Sequence, residues 1–280
     1  MLNYIQNFLR NLLILLFSIS GAASIIGFRK HLNDRIPNTI QLSNAAIHKS
    51  SKHILIISAD TTYLYLTFDD GPIQGSDVIN NIVVSDSIKI NVFIIGHYVF
   101  RDSLTRTLFK AYRTNPFIEI GNHSFTHANK HYHSYYQDPQ KVKCDFILNQ
   151  DTLHLTNNLA RLPGRNCWRI AGRSRNDIED AVAAADTLYK IGYQVFGWDL
   201  EWRADSSGHF IESVDQMIEK ISERSLSRST FTSGNIVLLC HDHLMADTSN
   251  EIAMRSFIKR VKAIGTYKFQ HLSRYPIQTP

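Results

Sequence analysis

Cysteine is scarce: three residues in 280, too few to staple a small fold with disulfides. Seven prolines and thirteen glycines exclude collagen-like and low-complexity chains. Excess charge of one sign is also lacking. The formal balance is +5, and beyond residue 35 there are 26 basic against 24 acidic residues. That is too even for a protein that grips nucleic acid by neutralising phosphates, so no nucleic-acid partner is expected. No glycine-rich phosphate loop follows any apolar run, which argues against a nucleotide-binding Rossmann domain. No internal repeat is visible. The composition that remains, 44% hydrophobic and 20% charged, is that of a globular protein. Thirteen histidines are more than usual, and their positions matter more than their number.

Long hydrophobic runs are absent but for one. Between Arg10 and Arg29 lie 18 residues without a charge, NLLILLFSISGAASIIGF. As a helix they would span roughly 27 Å, slightly under a hydrocarbon core. The densest part, residues 12–19, suits a signal-peptide h-region, and Gly21, Ala22 and Ala23 suit a signal peptidase. Residues 1–30 are therefore expected to be a signal peptide or a membrane anchor. The flanking charges do not choose between them. In either case the rest of the chain is expected to be exported, as a membrane-anchored, secreted or periplasmic protein. Residues 31–52 are polar and weakly periodic and read as a linker.

From about residue 53 to residue 280 short β-rich runs alternate with longer amphipathic ones. Strands are expected at 63–68, 91–95, 117–120, 159–161, 194–198 and 235–240. Helices are expected near 76–87, 98–114, 138–157, 175–190, 211–227 and 248–264. In the last, Ile252, Phe257, Val261 and Ile264 form an apolar stripe at helical spacing. Such alternation implies an α/β domain with a parallel sheet and right-handed crossovers. Six or seven units suggest a closed or nearly closed barrel, with an open doubly wound sheet as the alternative.

Polar residues collect at the C-terminal ends of the expected strands, the face where α/β barrels build their sites. The first strand runs into Asp69-Asp70-Gly71-Pro72. Adjacent carboxylates repel unless a cation or hydrogen bonds divide their roles; a solvated Asp-Gly turn is the plainer alternative. His123 and His127 are four residues apart, which on a helical turn puts both imidazoles on one face, able to hold one metal ion. With Asp70 they make a two-His-one-carboxylate set that leaves positions for water and substrate. His131 and His133 read as loop residues. Arg161 in RLPGR can hold a carboxylate ionised. Trp198-Asp199-Leu200-Glu201-Trp202 places two indoles around two acids, either a sugar platform or core. An apolar strand ends in Cys240-His241-Asp242-His243. His241 is a candidate general acid, and Cys240 reads as a small buried hydrophobe.

These five elements, in this order, resemble the motifs of the NodB-type polysaccharide deacetylases, carbohydrate esterase family 4. They are TFDDGP at 67–72, HSFTH at 123–127, RLPGR at 161–165, WDLEW at 198–202 and LLCHD at 238–242. The resemblance implies a distorted (β/α) barrel of about seven strands. It also implies a divalent metal ion, usually zinc, and hydrolysis of acetyl groups on a polysaccharide, a reaction on carbon–nitrogen bonds other than peptide bonds when the acetyl is an amide. By position, Asp69 would be the base and Asp70, His123 and His127 the metal ligands. Arg161 would orient the base, and His241 would be the general acid. Trp202 and Leu239 would line the acetyl pocket. Either Asp199 or Glu201 would assist His241, Glu201 being the closer match because it directly precedes Trp202. The chain departs from the pattern at Gly164, where the family often has an aromatic residue and where a backbone N–H would hold the oxyanion. Trp168 is a candidate for the missing wall. The expected partner is an acetylated polysaccharide, with the membrane as a second if residues 1–30 stay uncleaved, and the chain is expected to be a monomer. A non-catalytic sugar-binding relative and an esterase for O-acetylated glycans are the alternatives. Cys144 and Cys167 are candidates to pair in an oxidising compartment, which spacing does not decide.

Overall fold

The computed structural model describes residues 61–277. They fall in a unit that begins at Ile57. The expected signal or anchor segment at 1–30 and the linker at 31–52 lie outside the described residues. Among the described residues no helix is long and apolar enough to cross a membrane.

Strands β1 (Thr62–Gly71), β2 (Ile90–Ile94), β3 (Ile118–Asn122), β4 (Leu159–Ala160), β7 (Gln194–Val195), β8 (Leu200–Glu201) and β9 (Asn235–His241) form one parallel path, ordered β7-β4-β3-β2-β1-β9-β8. Beyond β7 an antiparallel hairpin, β5 (Cys167–Ile170) and β6 (Arg173–Asn176), extends one edge. Strand β10 (Tyr267–Phe269) pairs with the start of β1. The path curls but its ends, β6 and β8, do not pair.

Helices α1 (Ser76–Asp86), α2 (Gly96–Val99), α3 (Ser103–Thr114), α4 (Tyr132–Tyr136), α5 (Pro139–Leu153), α6 (Val182–Lys190), α7 (Val214–Ser227) and α8 (Thr248–Ile264) fill the crossovers. The expected helix at 98–114 is broken in two because Asp102 starts a new one. Its carboxylate accepts from Thr105 N, and Thr105 Oγ1 accepts from Asp102 N, a capping box. The expected helix at 175–190 begins instead as a strand. Ala171 (φ 51°) and Gly172 (φ 76°) make a two-residue turn with both central φ positive, the geometry that suits a hairpin. Arg173 and Arg175 then share one face and stack on Phe231.

Period-two alternation decides what each strand shows to each side. On β1, Leu64, Leu66 and Phe68 pack into the larger core under the helices, while Tyr65 joins a smaller cluster on the other face. On β2, Val92 and Ile94 face the helices and Phe93 the other side; on β9, Leu238 and Cys240 face the helices and Val237 the other side. Asp69, Leu239 and His241 therefore share the parity of Tyr65 and Val237, on the inner face of the curl. Trp168, Phe196 and Tyr275 fill that inner face, each large buried side chain contributing roughly 1.5–3 kcal/mol. Cys240 is buried in the main core as expected, and Cys144, Cys167 and Cys240 are all unpaired, so the Cys144–Cys167 pairing does not occur.

Candidate active site

Alternation alone would point Asp69 and Asp70 to opposite faces of β1. The strand avoids this by a register irregularity between Asp69 and Gly71 in its pairing with β2, and Asp70 sits at φ 72°. Aspartate tolerates that left-handed backbone better than most residues. A bulge of this kind re-aims a side chain, and both carboxylates end beside one imidazole. His123 Nε2 lies 3.3 Å from Asp70 Oδ1 and 3.7 Å from Asp69 Oδ2, and His127 Nε2 lies 3.0 Å from Asp70 Oδ1. Ligand atoms of Asp70, His123 and His127 all lie within 4.8 Å of one another.

The two histidines reach this cup by a different route from the expected helical turn. They leave the end of β3 on a loop in which Ser124 (φ 64°) and then four successive residues, His127 to Lys130, have positive φ. Each such non-glycine residue costs roughly 1–2 kcal/mol, so the loop needs external support. It comes from α5. Asp145 accepts from Thr126 N, Thr126 Oγ1 and Tyr135 Oη, and its backbone carbonyl accepts from Phe125 N. Asn122 Oδ1 accepts from Ser124 N and from Asn149 Nδ2, and Asn149 also donates to Ile94 O. Sequence reasoning missed Asn122, Asp145 and Asn149. A signal was present: Val142, Asp145, Phe146, Asn149 and Leu153 make one buried helical face, and two polar residues inside such a stripe need partners. His133 falls in α4 rather than in a loop.

Asp69 is held apart from Asp70 by Arg161. The guanidinium is fully buried and donates Nη1–H to Asp69 Oδ1 at 2.8 Å and to Thr67 Oγ1 at 2.8 Å. It also donates Nε–H to Phe196 O and Nη2–H to Gly197 O, and its plane sits 4.3 Å from the Phe93 ring centroid. The Arg161 backbone carbonyl in turn faces His123 Nδ1 at 2.9 Å. A carbonyl only accepts, so the proton stays on Nδ1 and Nε2 points to the cup.

Burial pushes the Asp70 carboxyl up, but the adjacent His123 and His127 outweigh it and hold Asp70 well below the usual carboxylate range. Burial pulls His123 down, yet Asp69 and Asp70 overcome it and leave it raised. Asp70 Oδ1 is buried, and despite those two short distances it has no partner in hydrogen-bonding geometry. An orphaned carboxylate oxygen between two imidazole nitrogens suits a divalent cation of the zinc type.

The remaining predicted residues separate. His241 ends β9 opposite Asp69 in register. His241 and Glu201 line one cleft of about 680 Å³, together with Arg203, Asp205 and Ser207. Asp199 does not join them. It accepts from Phe231 N at 2.8 Å, Val237 N at 3.0 Å and Arg175 Nη2 at 3.1 Å, and burial pushes its carboxyl up in spite of these donors. It ties the sheet to a neighbouring loop, so the alternative of Asp199 as the partner of His241 is set aside. Trp202 is fully buried, stacks on Phe210 at 4.2 Å and donates to Glu212 O; it offers no exposed platform for a sugar ring. Leu239 is 2% exposed. Trp168 is likewise fully buried, stacked on Phe231 at 4.4 Å, and is no substrate wall. Gly164, at φ 61°, is exposed, and among the described residues its N–H has no hydrogen-bond partner.

Residues 57–184 match the family model of polysaccharide deacetylases. A chitin disaccharide deacetylase of Vibrio alginolyticus is 21% identical over 305 residues, covering 76% of this chain and 71% of that protein. Among solved structures, a CE4 esterase from Streptococcus mutans superposes with a TM-score of 0.57 at 16% identity, over 75% of this chain and 86% of that one. The catalytic domain of peptidoglycan N-acetylglucosamine deacetylase from Eubacterium rectale gives 0.55 at 17% identity, over 79% and 96%. These superpositions agree with the curled α/β sheet in showing the NodB-like barrel expected from the sequence. The motif order, the curled sheet and the family match lead to one conclusion: residues 57–184 match a polysaccharide deacetylase domain.

Proposed function

We propose that this polysaccharide deacetylase removes N-acetyl groups from an acetylated cell-wall or extracellular polysaccharide, using one divalent metal ion held by Asp70, His123 and His127. The observation that carries the reading is the division of the two adjacent acids. Asp70 faces both imidazoles, while Asp69 is claimed by Arg161 and kept available for proton transfer.

The amide carbonyl is a weak electrophile, water a weak nucleophile, and the amine a poor leaving group. A divalent cation bound to this donor set supplies Lewis acidity and lowers the pKa of water. The protein supplies the rest. Arg161 engages Asp69 Oδ1, which leaves Oδ2, the oxygen nearer the cup, to take the proton of the attacking water. Gly164 N–H is a donor for the developing oxyanion, a contribution of about 3–4 kcal/mol where one such donor has been removed. His241, paired in register with Asp69 on the adjacent strand, gives its proton to the departing nitrogen, and Glu201 lines the same cleft. The hydrophobic run near the N-terminus supports export, placing the domain where such polymers are found.

Acetate release from N-acetylated chito-oligosaccharides, with and without chelator, tests this reading. Chelator-sensitive release restored by zinc is the expected result. Release from acetyl-xylan alone would replace the amide by an ester, and chelator-resistant release would remove the metal from the account.

A further inference from the structure

Tyr132 has no part in the steps above, yet it touches two of the groups they use. It opens α4, five residues after His127. Its ring meets His127 edge-on, 5.7 Å between centroids, and its hydroxyl lies 3.4 Å from His127 Nδ1. On the other side, a Cβ at Gly164 would stand 3.3 Å from the ring, so the ring packs closely over the face where a side chain there would begin. The Arg165 guanidinium covers it at 5.6 Å and is itself pinned to Asp180.

The two imidazoles of the cup are therefore not held alike. His123 Nδ1 faces a carbonyl, which accepts only, and its tautomer is fixed. His127 Nδ1 faces a hydroxyl, which donates or accepts, and its tautomer follows whatever occupies Nε2. We propose that Tyr132 is the positioning residue of His127. Its oxygen accepts the Nδ1–H when Nε2 takes a cation, and its ring closes the cup on the side where Gly164 brings no side chain. This rests on the reading of Asp70, His123 and His127 as metal ligands. It adds that one of the three ligands is oriented by a side chain that family motifs do not contain.

The test uses the full chain and Zn²⁺ alone, competed against a chelating dye. Tyr132→Phe keeps the ring and removes the acceptor. The expected result is about tenfold weaker zinc binding, the low end for a ligand's outer partner because the contact is long. Long-range 1H–15N spectra of the histidine-labelled, zinc-loaded protein should show a shifted His127 Nδ1 and an unmoved His123. Thermal unfolding of the metal-free variant should match wild type, which separates positioning from general destabilisation. Zinc affinity within twofold of wild type, with His127 unmoved, overturns the role of Tyr132 while leaving the ligand set standing. A wild-type chain that binds no zinc overturns both.

Discussion

The two sides of the cup are built differently. On the Asp69 side the groups are tied together: the Arg161 guanidinium makes four hydrogen-bond donations, to Thr67 and Asp69 on β1 and to the carbonyls of Phe196 and Gly197, and His123 is fixed through the Arg161 carbonyl. On the His241 side, neither His241 nor Glu201 makes a side-chain hydrogen bond or ion pair among the described residues, and both line an open cleft. The difference teaches where geometry comes from. A base that must stay ionised next to another acid needs a permanent counter-charge and a fixed place. In the proposed mechanism the acid that protonates the leaving group takes its final position from the substrate, which agrees with a rim whose His241 and Glu201 side chains are untied.

The strongest way to break the tied side is Asp69→Asn. It is isosteric and leaves Asp70, His123 and His127 untouched. Acetate release should fall about 10²–10⁴-fold, while zinc content by elemental analysis stays at wild-type level; loss of both together would make Asp69 a ligand instead. Arg161→Met comes next. It strands a buried carboxylate without its partner, so denaturant unfolding should show a loss of about 3–5 kcal/mol. A loss below 1 kcal/mol would mean that the tie contributes little.

A smaller effect separates the two acids of the fourth motif. Asp199→Asn removes an acceptor from two backbone N–H groups and should lower stability by about 1–3 kcal/mol, with the pH profile of turnover unchanged in the folded protein. Glu201→Gln should do the reverse: stability held, and acetate release lowered. The reverse pattern would return the assisting role to Asp199.

The smallest effect lies beneath the carboxylate turn. Asp242 is fully buried, accepts from Ser76 and from Tyr112 Oη, and burial raises its carboxyl to about 7, with Asp70 and Asp69 adding to the rise. Its Oδ1 has no partner. Because the folded pKa exceeds the unfolded value near 3.9, the native state holds more protons between about pH 4 and 7. Stability therefore declines as pH rises through that window. Melting temperatures should show this slope in wild type and a flatter one in Asp242→Asn; equal slopes would remove Asp242 from the titration.

Much of this was legible because it depends on short-range periodicity. Alternating β-rich and amphipathic runs gave the parallel sheet, while the pairing register of β1 and β9 is what puts Asp69 and His241 on one face. What escaped was of longer range. The hairpin of β5 and β6 was hidden because Arg173 and Arg175 look like a solvated helix start; only Phe231, far along the chain, makes them a strand face. Trp202 was open as part of a sugar platform and Trp168 as a substrate wall, but which face of an indole meets solvent is set by Phe231 and Phe210, not by local sequence. Likewise Asp199 and Glu201, two residues apart, were both open as the assisting acid, Glu201 being the closer match, until the backbone N–H groups of Phe231 and Val237 claimed Asp199.

By itself the sequence determined the alternation of strands and helices, the order of the five polar clusters, and the residue types of a two-histidine, one-carboxylate cup, since these follow from side-chain period and ligand chemistry. Only the tertiary structure decided how the histidine loop is held, which of the two acids shares a cleft with His241, and that Tyr132 stands beside His127. Each of those depends on partners from distant segments, and a left-handed loop or a buried charge is tolerated only where such partners converge.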